Sequence, residues 1–60
     1  MTFAELKTDK SIMLFDAITG EDITPDFIGA DFGEEMDSYF NARVDATEER
    51  GDHIAVYLSF

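Results

Sequence analysis

Two stretches in the C-terminal half alternate apolar and polar side chains at period two, the pattern of a strand with one buried face. Met36, Ser38, Phe40, Ala42, Val44 and Ala46 alternate with Asp37, Tyr39, Asn41, Arg43 and Asp45. Ile54, Val56, Leu58 and Phe60 then alternate with His53, Ala55, Tyr57 and Ser59. Between them Thr47 to Asp52 (TEERGD) is polar and contains Gly51, so the spacing predicts a β-hairpin.

Upstream, Ser11 to Ile18 (SIMLFDAI) is a short apolar run rich in strand formers, closed by the turn signal Thr19-Gly20-Glu21-Asp22. It reads as a central strand. Phe3 to Thr8 is open to two readings: Thr2 and Glu5 fit a capping box over one helical turn, while Thr8-Asp9-Lys10 fits a hairpin turn after a strand. The strand is the preferred one. Thr24-Pro25-Asp26 places an N-cap residue, a proline and an acid in the order that starts a helix. Gly29 and Gly33 limit its length, so one or two turns over 26–32 are expected to lay Phe27, Ile28 and Phe32 against the sheet. The sum is one domain over residues 1–60 of the α+β class, mainly β. Its three- to four-stranded, mostly antiparallel sheet carries one short helix or acidic loop.

Length sharpens this picture, because a chain of 60 residues buries only about 60% of the surface its unfolded form exposes. There is no Cys, so no disulfide can add to a thin core, and an intracellular, reducing setting fits best. The 45% of apolar residues, six Phe and two Tyr among them, exceeds a disordered composition. No apolar run is long enough to cross a bilayer, and MTFAELKTDK has neither the charged nor the apolar block of a signal peptide. The expected location is the cytoplasm.

Charge changes the picture most. Fourteen Asp and Glu face four Lys and Arg, for a formal net charge of -10. No basic residue lies between Lys10 and Arg43, whereas Asp16, Glu21, Asp22, Asp26, Asp31, Glu34, Glu35 and Asp37 all do. Such a field repels nucleic acid and anionic membrane and draws positively charged surfaces. The expected partner is a basic protein, and those eight carboxylates with Tyr39 are the candidate contact residues.

The inventory for catalysis is poor: no Cys, one His and no glycine-rich phosphate loop after a strand. A sheet of this size also leaves little room for the cleft that a carboxylate-pair hydrolase needs. No enzyme activity and no cofactor are expected. His53, beside Asp52, reads as an exposed side chain first and a titrating switch second. No transition-metal ligand spacing surrounds it. A calcium loop fails on register, since counting from Asp22 puts Phe27 where the turn glycine belongs and Gly33 where the bidentate glutamate belongs.

Ten unbalanced charges repel one another in a domain of small net stability, so a one-sided field suggests use. Carboxylates at alternate strand positions stand about 6.6 Å apart, and duplex DNA carries a charge per roughly 1.7 Å of axis. Several acidic rows therefore imitate a phosphate track. Aromatic side chains such as Tyr39, with Phe27 or Phe32, would fill apolar pockets beside it.

In size, charge and aromatic content over its whole length the chain resembles the small acidic, mostly phage-encoded inhibitors that imitate DNA, among them anti-CRISPR proteins and uracil-DNA glycosylase inhibitors. Locally, Asp9-Lys10-Ser11-Ile12-Met13-Leu14 is similar to the acidic edge strand with which glycosylase inhibitors enter the enzyme's DNA groove, with Lys10 standing where that family has Glu. The resemblance implies inhibition of a nucleic-acid-binding bacterial enzyme or CRISPR complex in the host cytoplasm by occupying its basic groove. Two alternatives remain. One is a β-rich domain that self-associates as a homodimer through an uncovered sheet face or edge, with charge serving solubility. The other is a small metal-responsive module.

Overall fold

A computed structural model describes all residues from Met1 to Phe60. The elements are a 3-10 turn over Phe3–Glu5, strand β1 over Ser11–Asp16, helix α1 over Thr24–Ile28, helix α2 over Glu34–Phe40, strand β2 over Arg43–Arg50 and strand β3 over His53–Ser59. The strands form one sheet in the order β1-β3-β2, so the last strand is the central one. The α+β, mainly β class holds. The sheet is mixed, with β1 parallel to β3 and β2 antiparallel to it.

β3 takes the centre because it is the most apolar segment. Ile54, Val56 and Leu58 are buried, as their alternation predicts, and Ala55 on the opposite face is buried as well. A strand with side chains covered on both faces belongs between two others. β1, expected to be central, is an edge strand. Its outer side is partly occupied by the chain that follows it: the Asp16 N–H donates to the Glu21 carbonyl at 2.9 Å, and the Ile23 N–H to the Leu14 carbonyl at 2.9 Å. The Leu14 N–H finds the Thr24 hydroxyl at 2.8 Å.

The hairpin is real but displaced toward the C-terminus. Residues Thr47 to Arg50 belong to β2, and only Gly51 and Asp52 join the strands. Gly51 has φ 68° and no other residue type has positive φ, the sign pattern of a two-residue turn with glycine first. The expected strand over 36–46 is divided: Glu34–Phe40 is helix α2, and β2 begins only at Arg43. Met36 and Phe40 fit a strand spacing of two, but together with Tyr39 they also satisfy a helical spacing of three and four. The acids Glu34, Glu35 and Asp37 in the first turn favour the helix through its dipole. A bulge between Val44 and Ala46 then breaks the alternation, so that Ala42 is buried, Val44 half-buried and Ala46 exposed opposite Tyr57.

The N-terminal segment is the helical turn and not the strand. Glu5 accepts from the Thr2 N–H at 2.8 Å and from its hydroxyl at 3.0 Å, which fixes the turn and sends Phe3 into the core. Both α-helices and the 3-10 turn cover one sheet face. Phe3, Leu14, Ala42, Ile54, Val56 and Leu58 form the core, with Leu6, Ile12, Ile23, Phe27, Tyr39 and Val44 packed around it. Of the three side chains expected against the sheet from 26–32, only Phe27 reaches it; Ile28 and Phe32 are 75% and 95% exposed. Phe60, the last of the predicted apolar face, is also largely exposed.

The other sheet face has no covering element. Phe15 stacks on Tyr57 with centroids 5.3 Å apart, and the Arg50 guanidinium lies 5.7 Å from the Phe15 centroid. Arg50 also donates to the Tyr57 hydroxyl at 3.2 Å and to Glu48 at 3.1 Å. The aliphatic stem and planar head of arginine thus shield apolar surface that a second layer would otherwise cover.

Candidate functional site

The charge of this protein is segregated by its fold. Its ion pairs are Lys10 to Glu49 at 3.5 Å, Arg43 to Asp45 at 2.8 Å and Arg50 to Glu48 at 3.1 Å, and the His53 ring nitrogen lies 3.3 Å from the Asp52 carboxylate. Every one of them joins the sheet or its turn, and none involves a carboxylate between Asp16 and Asp37. The eight predicted contact acids therefore have no cation within ion-pair reach. Asp16 is half-exposed and the other seven are exposed.

These eight fall into two groups. Asp26, Asp31, Glu34, Glu35 and Asp37 belong to α1, α2 and the loop between them. One hydrogen bond and one shared electrostatic neighbour link members of this group. The Asp31 N–H donates to the Glu35 carboxylate at 2.8 Å, and the charges of Asp26 and Glu35 both act on the Tyr39 phenol. Desolvation first, then those two charges, raises the phenol above its ordinary pKa. Asp16, Glu21 and Asp22 form the second group, at the end of β1 and the loop leaving it. Asp16 accepts from the N–H groups of Ile18 and Thr19 at 2.8 and 3.2 Å, and Asp22 from the Thr24 N–H at 2.9 Å. Both acids thus shape turns while keeping their charge outward, a role typical of Asp at such positions. No hydrogen bond or ion pair joins them to the first group.

Tyr39 sits in the first group but is half-buried, with Phe27 at 5.4 Å and Phe60 at 5.5 Å from its ring centroid. Phe27 in turn meets Phe3 at 5.6 Å and Phe40 at 5.8 Å. Tyr39 and Phe27 are therefore packing residues that tie α1 and α2 to the core. The aromatic that the fold leaves outside is Phe32. The sequence offers Phe32 both as a contact aromatic beside the acids and as a side chain laid against the sheet, and the second placement does not hold. The signal against that was local: Gly29 and Gly33 flank it, and an apolar side chain between two glycines has no helix turn to align it with the core.

Gly33 carries the geometry of this region. Its φ of 105° and ψ of -132° lie where residues with a Cβ are strained, and α2 starts immediately after it. The Asp37 N–H donates to the Gly33 carbonyl at 2.8 Å and the Met36 N–H to the Asp31 carbonyl at 3.1 Å, which pins the loop to the helix it precedes.

The surface has no cleft or cavity, and no three His, Asp or Glu side chains converge as metal ligands. His53 is half-buried at the start of β3, beside Asp52. No helix is long and apolar enough to cross a membrane. Compared with known protein families, characterised proteins and solved structures, the chain gives no match.

Two carboxylates have a pH signature. Glu5 is held below its ordinary range by the backbone N–H of Thr2 and then its hydroxyl. Asp22 is lowered by hydrogen bonding to the side chain and backbone of Thr24. A lowered folded-state pKa contributes stability that is present above the unfolded value and lost as pH falls through the folded one. The double variant Glu5→Gln/Asp22→Asn should therefore be less stable than the parent near pH 7, and the difference should shrink as pH falls through the acidic range below the ordinary carboxylate values, as read from urea midpoints. Parallel curves at all pH values would remove these two groups as the cause.

Proposed function

We propose that this protein is an acidic binding protein that inhibits a nucleic-acid-binding bacterial enzyme or CRISPR complex by occupying its basic groove. The carrying observation is the segregation of charge: Lys10, Arg43 and Arg50 each pair with an acid of β2, and the helical side keeps its carboxylates unpaired. Keeping five like charges on two short helices and their loop is unfavourable for the isolated domain. A partner rich in Lys and Arg relieves that repulsion on binding, which is how electrostatic complementarity sets partner choice and association rate. The narrower reading, inhibition of uracil-DNA glycosylase, draws on Ser11 to Met13 lying on edge strand β1, where the covering hydrogen bonds start only at Leu14.

The test is affinity capture from a bacterial lysate at about 50 mM salt, with elution by duplex DNA and by about 500 mM salt. Nucleic-acid-binding proteins should be retained, and both eluents should release them. A column that keeps no basic protein, or keeps one indifferent to DNA and salt, refutes the reading.

One observation favours self-association instead, namely the sheet face without a covering layer. Mass in solution separates the two. A dimer that ignores basic proteins supports assembly, and a monomer that captures one supports inhibition.

A further inference from the structure

Phe32 is 95% exposed, stands directly after Asp31 and lies two and three residues before Glu34 and Glu35. Single exposed apolar side chains are common on protein surfaces. This one differs in how it is held. The Asp31 N–H is bonded to the Glu35 carboxylate, the Asp31 carbonyl to the Met36 N–H, and the Gly33 carbonyl to the Asp37 N–H. The residues on both sides of the ring are thus fixed to α2, and the ring takes no part in the aromatic cluster of Phe3, Phe27, Tyr39, Phe40 and Phe60. A fixed loop that keeps a flat apolar ring in water, among unpaired carboxylates, is organised for an acceptor outside the molecule.

The chemistry of that acceptor follows from the combination. Duplex DNA keeps its bases in the stack and shows a basic groove mainly phosphate. A nucleic acid presents an isolated flat ring beside its charge track only where a base is unstacked, in a single strand or after flipping. We propose that Phe32 imitates an unstacked base, and that the partner is a protein whose Lys- and Arg-lined groove contains an aromatic or apolar pocket for one. This inference rests on the reading of the helical side as a nucleic-acid imitation and narrows it. Base stacking on aromatic side chains carries a large share of single-strand affinity, and phosphate contacts alone do not supply it.

The test uses two probes. One is an OB-fold single-strand-binding protein loaded with labelled oligothymidine, whose groove stacks bases. The other is a histone octamer on labelled duplex DNA, which holds the backbone without base-specific contacts. The full chain should displace both labels at low salt. Phe32→Ala should displace oligothymidine about tenfold less effectively or worse. It should act like the parent on the histone complex, and Phe32→Trp should restore displacement. Unchanged melting of Phe32→Ala, expected for a side chain this exposed, shows that the fold is kept. If Phe32→Ala equals the parent on both probes, the base-imitating role is wrong while the acidic imitation stands. If the parent displaces neither label, the acidic imitation itself is wrong.

Discussion

Replacing Leu58 with Ala is expected to leave the chain largely unfolded at physiological temperature. Leu58 is fully buried in the central strand, facing Val44 on β2 and Asp16 on β1 in the strand registers. Truncating a buried Leu costs about 2–5 kcal/mol, toward the upper end where neighbours cannot close the space. A domain of 60 residues has roughly 3–9 kcal/mol of stability in all. Only seven residues of this one are buried, and the core around Leu58 is bounded by a sheet, so little can move in. Urea unfolding followed by far-ultraviolet circular dichroism should show the native baseline shortened or lost. Leu58→Met, which nearly conserves volume, should cost less than about 1.5 kcal/mol. A Leu58→Ala midpoint equal to the parent's would contradict the central placement of β3.

The second large effect concerns where charge is removed. Glu34→Gln, Glu35→Gln and Asp37→Asn together take the net charge from -10 to -7 within the unpaired helical group. Two opposing terms act on the free protein. The first turn of α2 loses favourable interaction with its dipole, about 0.3–1 kcal/mol for each acid, and the domain gains relief from repulsion of similar size. Stability should therefore change little, helped by a Gln at position 35 that still accepts the Asp31 N–H. Binding has no such cancellation. Each charge lost from a surface that replaces phosphates should reduce the slope of log Kd against log salt concentration by up to about one unit.

The control is Asp45→Asn, Glu48→Gln and Glu49→Gln, which makes the same change in net charge on β2, where each acid is already paired. Its salt slope should stay near the parent's. Equal slopes for the two triple variants would mean that the partner responds to total charge and not to the helical side.

Much of this was legible from local pattern. Ile54, Val56 and Leu58 are buried as their alternation requires, and a short helix does open at Thr24-Pro25-Asp26. Thr24 is its first residue after Ile23 and not its cap, because the Thr24 hydroxyl bonds the Leu14 backbone, and the helix ends at Ile28. The capping pair Thr2 and Glu5 is visible in the sequence, but six residues cannot distinguish a turn from an edge strand by spacing alone. Residues 36–40 differ for the same reason: a stretch of five fits both periods, and Glu34 and Glu35, candidate contact residues, also mark a helix start. Ala46 failed because one bulged residue reverses every face after it.

By itself the sequence determined the class of fold, the hairpin partner strands near the C-terminus and the excess of acid in the middle of the chain, since each of these depends on neighbours along the chain. Tertiary structure alone decided that β1 runs parallel to β3, because that pairing joins segments some 40 residues apart. It also decided that Lys10, Arg43 and Arg50 pair with acids of β2 and that Phe32 points away from the core. Those outcomes rest on which distant backbones share hydrogen bonds, and no local period encodes that choice.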